Sequence, residues 1–146
     1  MAVTIKELKQ RLKTAWQYKT GLDEAMQYLN YLRAVSCGVK GTDYGKLPVH
    51  GGPVLNRIEE AVARIDEYER KVADNLNHYV LALNDIDDLI DLLSDETQKA
   101  VIRRRYQQCQ TWEMIAEKMA YAVSHIHRIH GTALKNLMIV LNNEME

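Results

Sequence analysis

Between Val123 and Thr132 the sequence VSHIHRIHGT gathers Ser124, His125, His127, Arg128 and His130 within a few turns of chain. Two chemistries suit such a set. Arginine can donate two parallel hydrogen bonds to a guanine edge and imidazole can give or take one, so on the outer face of a helix these residues can read bases in a DNA groove. Imidazoles joined by the Cys109 thiolate would instead suit zinc. The spacing argues against metal, because His125 and His127 lie about 200° apart around a helix and only His127 and His130 share a side. Base reading by Ser124, His127 and Arg128 is the expected chemistry, and the plainer alternative is a solvated helix face. Protonation of the histidines toward pH about 6 would add charge beside phosphates and tighten such binding.

Other cations and amides can hold the DNA backbone. Arg103, Arg104 and Arg105 step about 100° each around a helix, so one or two of them face a phosphate strand, with solubility as the alternative role. Thr111 and Trp112 open a short helix whose exposed amides suit a phosphate, and His125 completes the candidate phosphate contacts. Further motifs are weaker. GTDYGK, Gly41 to Lys46, falls one residue short of a phosphate-loop spacing and follows no strand, so it reads as a turn. Asp85, Asp87, Asp88 and Asp91 read as the polar face of a helix rather than a magnesium site. No nucleophile elbow or zinc-protease motif is present, and neither an enzyme nor a cofactor is expected.

The elements that must position these residues follow from composition and periodicity. The chain has 146 residues, 47% of them hydrophobic, with 19 Lys and Arg against 20 Asp and Glu. That suffices for a core and excludes a polybasic protein that binds nucleic acid by bulk charge. Two prolines and seven glycines among many helix formers predict an all-α fold. Cys37 and Cys109 are too few for a disulfide scaffold. The opening MAVTIKELKQRLK lacks a signal-peptide core and no run is long enough to span a membrane, so a soluble cytoplasmic protein is expected.

Apolar residues at Ile5, Leu8, Leu12, Ala15, Leu22, Met26 and Leu29 alternate three and four apart, interrupted at Lys19. A second run, Leu55, Ile58, Val62, Ile65, Val72, Leu76, Tyr79, Leu83, Ile86, Ile90 and Leu93, has Glu69 as its polar exception. The aperiodic segment 36–53 between them holds most of the glycines and both prolines, so residues 1–93 should form a long antiparallel helical hairpin with a Gly-rich loop. A symmetric closure puts Arg33 opposite Leu55 and Lys19 opposite Glu69, an opposed pair that would fix the register. The alternative is that both charges snorkel into water. The second helix then outruns the first, leaving Ile86, Ile90 and Leu93 to pack on the C-terminal third.

Residues 94–146 form the second expected domain. Ser94 is placed to cap a helix beginning at Asp95, Thr111 to cap TWEMIAEKMA, and a longer helix begins near Ala122, a poor cap. Val123, Ile126, Ile129, Ala133, Leu134 and Leu137 should point inward, with Ser124, His125, His127, Arg128 and Thr132 outward. A short helix, tight connection and longer amphipathic helix make a helix-turn-helix pattern. Leu93, Asp95, Val101, Ile102, Arg105, Tyr106, Ile115, Ala116, Val123, Ile126, Ile129, Ala133 and Leu134 match the pattern of the sigma-factor region that binds the minus-35 promoter element. With the hairpin and Tyr121 to Gly131, the layout resembles phage-encoded sigma-like regulators of the ArpU type. The resemblance implies base-reading positions at Val123, Ser124, His127 and Arg128, although Val123 departs from the usual polar type. It also implies host RNA polymerase as a partner.

The leading expectation is therefore a phage or prophage regulator that binds double-stranded promoter DNA and modulates initiation, since no aromatic-rich melting domain is visible. A homodimer follows if Tyr18, Met26, Tyr28 and Tyr31 pack between chains, while packing within one chain is the equal alternative. Two other classes fit the same elements: a DNA-packaging or virion assembly subunit with an oligomerising hairpin, and a helical scaffold that never meets DNA.

Overall fold

A computed structural model describes residues 2–40 and 53–145. The chain is all-helical, with two long helices, α1 (Ile5–Lys40) and α2 (Pro53–Asp91), followed by α3 (Glu96–Ile102), α4 (Trp112–Met119) and α5 (Val123–Glu144). A π-helical turn, Arg103–Gln107, follows α3 directly. Helix α1 continues past Ser36, where the loop was expected to start; the rest of that loop, with GTDYGK and the partner position Leu55, lies outside the described residues and side chains. Helix α2 is unbroken through Asn84 and Asp85.

Local signals account for the helix starts. Thr4 and Glu7 form a reciprocal box at α1, the Thr4 hydroxyl accepting the Glu7 N–H at 3.2 Å and the Glu7 carboxylate accepting the Thr4 N–H at 3.0 Å. Asp95, not the expected Ser94, caps α3, because its carboxylate reaches the N–H groups of Thr97 and Gln98. Thr111 caps α4 as expected, accepting the Met114 N–H at 3.2 Å. Ala122 precedes α5 with no side-chain cap.

Two compact units divide the chain, one formed by Met1–Gln17 with Tyr79–Glu146 and the other by Tyr18–His78. The expected boundary at 93/94 falls inside the first unit. Its core explains why: Leu8, Leu12 and Ala15 of α1 and Ile86, Leu89, Ile90 and Leu93 share one buried cluster with Ile102, Tyr106, Ala133, Leu134 and Leu137. The root of the hairpin thus belongs with the C-terminal helices. An expected feature holds here, since Ile86, Ile90 and Leu93 do find their cover in the C-terminal third. A second cluster, Val101, Ile115, Ala116 and Ile126, joins α3, α4 and α5.

The second unit is a two-helix antiparallel seam. Tyr18 stacks on His78 at 5.1 Å and Tyr28 meets Tyr68 at 4.5 Å between ring centroids. These partners displace one helix by about two turns from the expected alignment. Glu69 consequently accepts a hydrogen bond from Arg33 at 3.0 Å, and the Lys19–Glu69 register pair does not form. The physical reason lies in the stripe that faces inward. On α2 the half-buried residues are Ile58, Ala61, Ile65, Tyr68, Val72 and Asn75, whereas Val62, Glu69 and Leu76 are exposed. On α1 Ala25 is buried and Met26 exposed, and Leu32 extends the seam. Glu69 is therefore no seam residue.

Candidate nucleic-acid interface

The segment from Thr111 to Thr132 is built on the smaller core. Ile115 and Ala116 of α4 are buried against Val101 and Ile126, with Trp112, Met119, Val123 and Ile129 packed around them. Helix α4 then stops abruptly. Ala120 takes a left-handed conformation, φ 58°, while the Tyr121 N–H donates to the Ala116 carbonyl at 3.0 Å and the Ala120 N–H to that of Glu117 at 3.3 Å. These two bonds make a Schellman termination, usually completed by glycine. Three residues later α5 begins, so the short and long helices are joined by a tight turn.

Of the residues expected to read bases, Ser124, His127 and Arg128 are exposed on one side of α5. Val123 is half-buried against the small core, where it packs rather than projects. His125 is also half-buried, its ring edge-on to Tyr121 at 4.8 Å. Arg128 lines a shallow cleft of about 320 Å³ together with Asp95, Gln98, Tyr121, His125 and Thr132. The inward set is as expected at Ile126, Ala133, Leu134 and Leu137, all buried.

The arginine triplet does not step regularly around an α-helix, because it lies in the π-helical turn. Arg103 is exposed and Arg104 half-buried. Arg105 is engaged inside the protein. Its guanidinium carbon lies 4.5 Å from the Trp16 ring centre and 4.2 Å from that of Trp112, and Nη1 donates to the Gln110 carbonyl at 3.1 Å. Its own carbonyl accepts the Trp16 Nε1–H at 3.1 Å. The cation–π contacts and the hydrogen bonds hold Arg105 away from the role of a free phosphate ligand. Thr111 spends its hydroxyl on the cap, and the Trp112 ring sits 4.6 Å from His127 and 4.8 Å from His130.

Sequence reasoning missed the state of His130. It is buried, and its Nε2 shares a 2.7 Å hydrogen bond with the Tyr106 hydroxyl. Burial above all, and then the nearby charges of Lys9, Arg105, His127 and Lys13, push its pKa down to about 4. Burial likewise pushes the Tyr106 hydroxyl up to about 12. His130 is thus a neutral core residue at neutral pH, and the expected gain of DNA affinity on acidification cannot draw on it. Its spacing from Ile126, Ala133 and Leu137 was the available signal, since it lies on their inward stripe.

Two residues of the acidic run have side-chain partners, while Asp88 and Asp91 are exposed. Asp85 accepts two hydrogen bonds from Arg11, at 2.8 and 2.5 Å, and Asp87 accepts one from Gln107 at 2.5 Å. Among the described residues no three His, Cys, Asp or Glu side chains converge on a metal position, and no helix is long and apolar enough to cross a membrane. No family model, curated protein or solved structure matches the chain.

Proposed function

We propose that this chain is a sequence-reading DNA-binding protein, acting as a sigma-like transcription regulator of the phage ArpU type on promoter DNA and host RNA polymerase. The observation that supports the reading is the unit formed by α4, its three-residue turn and α5. A capped short helix, a Schellman stop at Ala120 and a longer helix carrying exposed Ser124, His127 and Arg128 form a helix-turn-helix able to enter a major groove. Arg128 supplies the bidentate donor for guanine, His127 a single donor or acceptor, and Ser124 a hydroxyl. The amide end of α4 and exposed Arg103 supply the backbone contacts. Polymerase and promoter come from the sequence resemblance.

Fluorescence anisotropy of wild type and the His127→Ala, Arg128→Ala double variant, on promoter-bearing and random duplexes across a salt series, tests it. Selective binding that weakens steeply with salt, and selectivity lost in the variant, is the expected result. Absence of binding, or unselective binding unchanged in the variant, overturns it.

A DNA-packaging or assembly subunit is the second reading. It is favoured by exposed Met26, Tyr31, Val35, Val62 and Leu76 in the two-helix unit, which suit contacts between chains. A solution mass of eight or more copies would select it, whereas a monomer or dimer fits the regulator.

A further inference from the structure

Helix α1 carries Lys9, Lys13 and Trp16 on one stripe, at the i, i+4, i+7 spacing that lines residues along a helix side. The adjoining stripe, Leu8, Leu12 and Ala15, is wholly buried in the core that contains Ala133, Leu134 and Leu137 of α5. Both ends of this stretch are fastened within the same compact unit. The Val3 N–H donates to the Asn142 side chain at 2.7 Å, and Trp16 joins its ring and Nε1–H to Arg105, which in turn lies over Trp112. Trp112 touches both His127 and His130. The run of contacts from Trp16 through Arg105 and Trp112 to His127 sets this stripe of α1 beside the flank of α5 that carries His127, and Lys9 and Lys13 are among the charges that hold the pKa of His130 down. Both lysines are exposed, and among the described residues neither has a carboxylate partner.

Unpaired, exposed ammonium groups one helical turn apart, about 6 Å, suit a row of phosphates. We propose that Lys9 and Lys13 extend the DNA-binding surface onto α1, gripping backbone phosphates of the duplex that α5 reads. The proposal rests on the DNA-binding reading above. Lysine heads on flexible stems carry no base information, so their share of binding is electrostatic and sequence-blind. The first helix of the hairpin then serves both as a wall of the core and as an arm of the interface.

The test measures anisotropy on promoter and random duplexes across a salt series for four proteins. They are wild type, K9Q/K13Q, the control R57Q/K71Q, which removes equal charge from the other unit, and H127A/R128A. In K9Q/K13Q the slope of log affinity against log salt should fall in magnitude by about 1.8, with promoter selectivity kept. The control should keep the wild-type slope. Both lysines are exposed, so thermal melting should match wild type.

A K9Q/K13Q slope equal to wild type, or a loss equalled by the control, overturns the proposal while leaving the DNA-binding reading intact. If K9Q/K13Q binds DNA normally but loses effect on transcription by polymerase, the lysines belong to a protein partner and the proposal also falls. Wild type that binds neither duplex overturns both readings together.

Discussion

The unit that contains α3, α4 and α5 and the unit that contains the middle of α1 and α2 bury their residues to different depths. In the first, Leu8, Leu12, Ile86, Ile102, Ile126 and Leu137 are fully enclosed, because neighbouring elements close around them on several sides. In the second, among the described residues, two helices pack on each other. The α1 side hides Leu22, Ala25, Leu29 and Leu32 to within 5–8% exposure, but the facing α2 residues stay half-open. Aromatic pairs and an ion pair occupy the margin that a third helix would otherwise cover. Two helices can align and dock with such a seam, but a closed core needs more neighbours.

Truncating a core residue should expose that difference most strongly. Ile86→Ala, in the enclosed cluster, should cost about 4 kcal/mol, near the upper end for such changes, since nothing can collapse into the space. Leu29→Ala, in the open seam, should cost about 2 kcal/mol, because the seam can close and water can reach its edge. Chemical denaturation of the two variants measures both, and equal losses would erase the distinction between the units.

Acid should act on the first unit through His130. Its pKa is about 4 when folded, against an ordinary value near 6.5 in the unfolded chain. Between those values the unfolded chain takes up a proton that the folded core refuses, so stability falls as pH drops from about 6.5 to 4 and the loss levels off below. The full effect is at most about 3 kcal/mol. His130→Gln, which cannot titrate, should show a flatter stability profile across that window, whatever its stability at pH 7. Profiles of identical slope would mean that His130 is protonated inside the fold.

Much of the architecture could be read from residue spacing, and its failures share a cause. Long apolar periodicities identified the helical pair, Thr111 and Ala122 marked where α4 and α5 begin, and the inward stripe of α5 was correct at Ile126, Ala133, Leu134 and Leu137. Along α2 the expected seam holds at Ile58, Ile65, Val72 and Tyr79 but is off by one residue at the alternate positions, because Ala61, Tyr68 and Asn75, which face inward, are less apolar than Val62 and Leu76, which do not. A heptad that uses small, aromatic and amide side chains is hidden from a count of aliphatic residues. The π-helical turn had no sequence mark, so Arg105 looked like its neighbours although Trp16, ninety positions or so away in the chain, was to claim it. At the candidate interface, exposure of Ser124, His127 and Arg128 followed from helical period, whereas the engagement of Arg105 and His130 depended on tertiary partners.

The turn between α4 and α5 offers a smaller, local test. Ala120 holds a left-handed φ of 58° that costs an alanine about 1 kcal/mol more than a glycine. Part of that gain is offset by the greater freedom of glycine in the unfolded chain. Ala120→Gly should therefore raise stability by about 0.5 kcal/mol, and Ala120→Val should lower it by more than 1 kcal/mol. In the opposite sense, Gly131 sits inside α5 with open space where a Cβ would go, so Gly131→Ala should stabilise by about 1 kcal/mol. Thermal or denaturant unfolding of the three variants checks the signs, and a stabilising Ala120→Val would refute the strained turn.

The least expensive contact carries the sharpest information about alignment. Arg33 and Glu69 meet at 3.0 Å with about half of each side chain exposed, so water screens the pair and its coupling should be only about 0.3 kcal/mol. A double-mutant cycle with Arg33→Met and Glu69→Gln should recover that value at low salt and nothing at high salt. The matching cycle with Lys19→Met and Glu69→Gln should give zero at both. Coupling between Lys19 and Glu69 would restore the displaced register, and it would carry Tyr28 away from Tyr68 and Tyr18 away from His78. Such a slip would cost far more than the ion pair could return, because each ring pair is worth about 1 kcal/mol beyond its buried area. The aromatic residues therefore select the register, and the ion pair reports which one was selected.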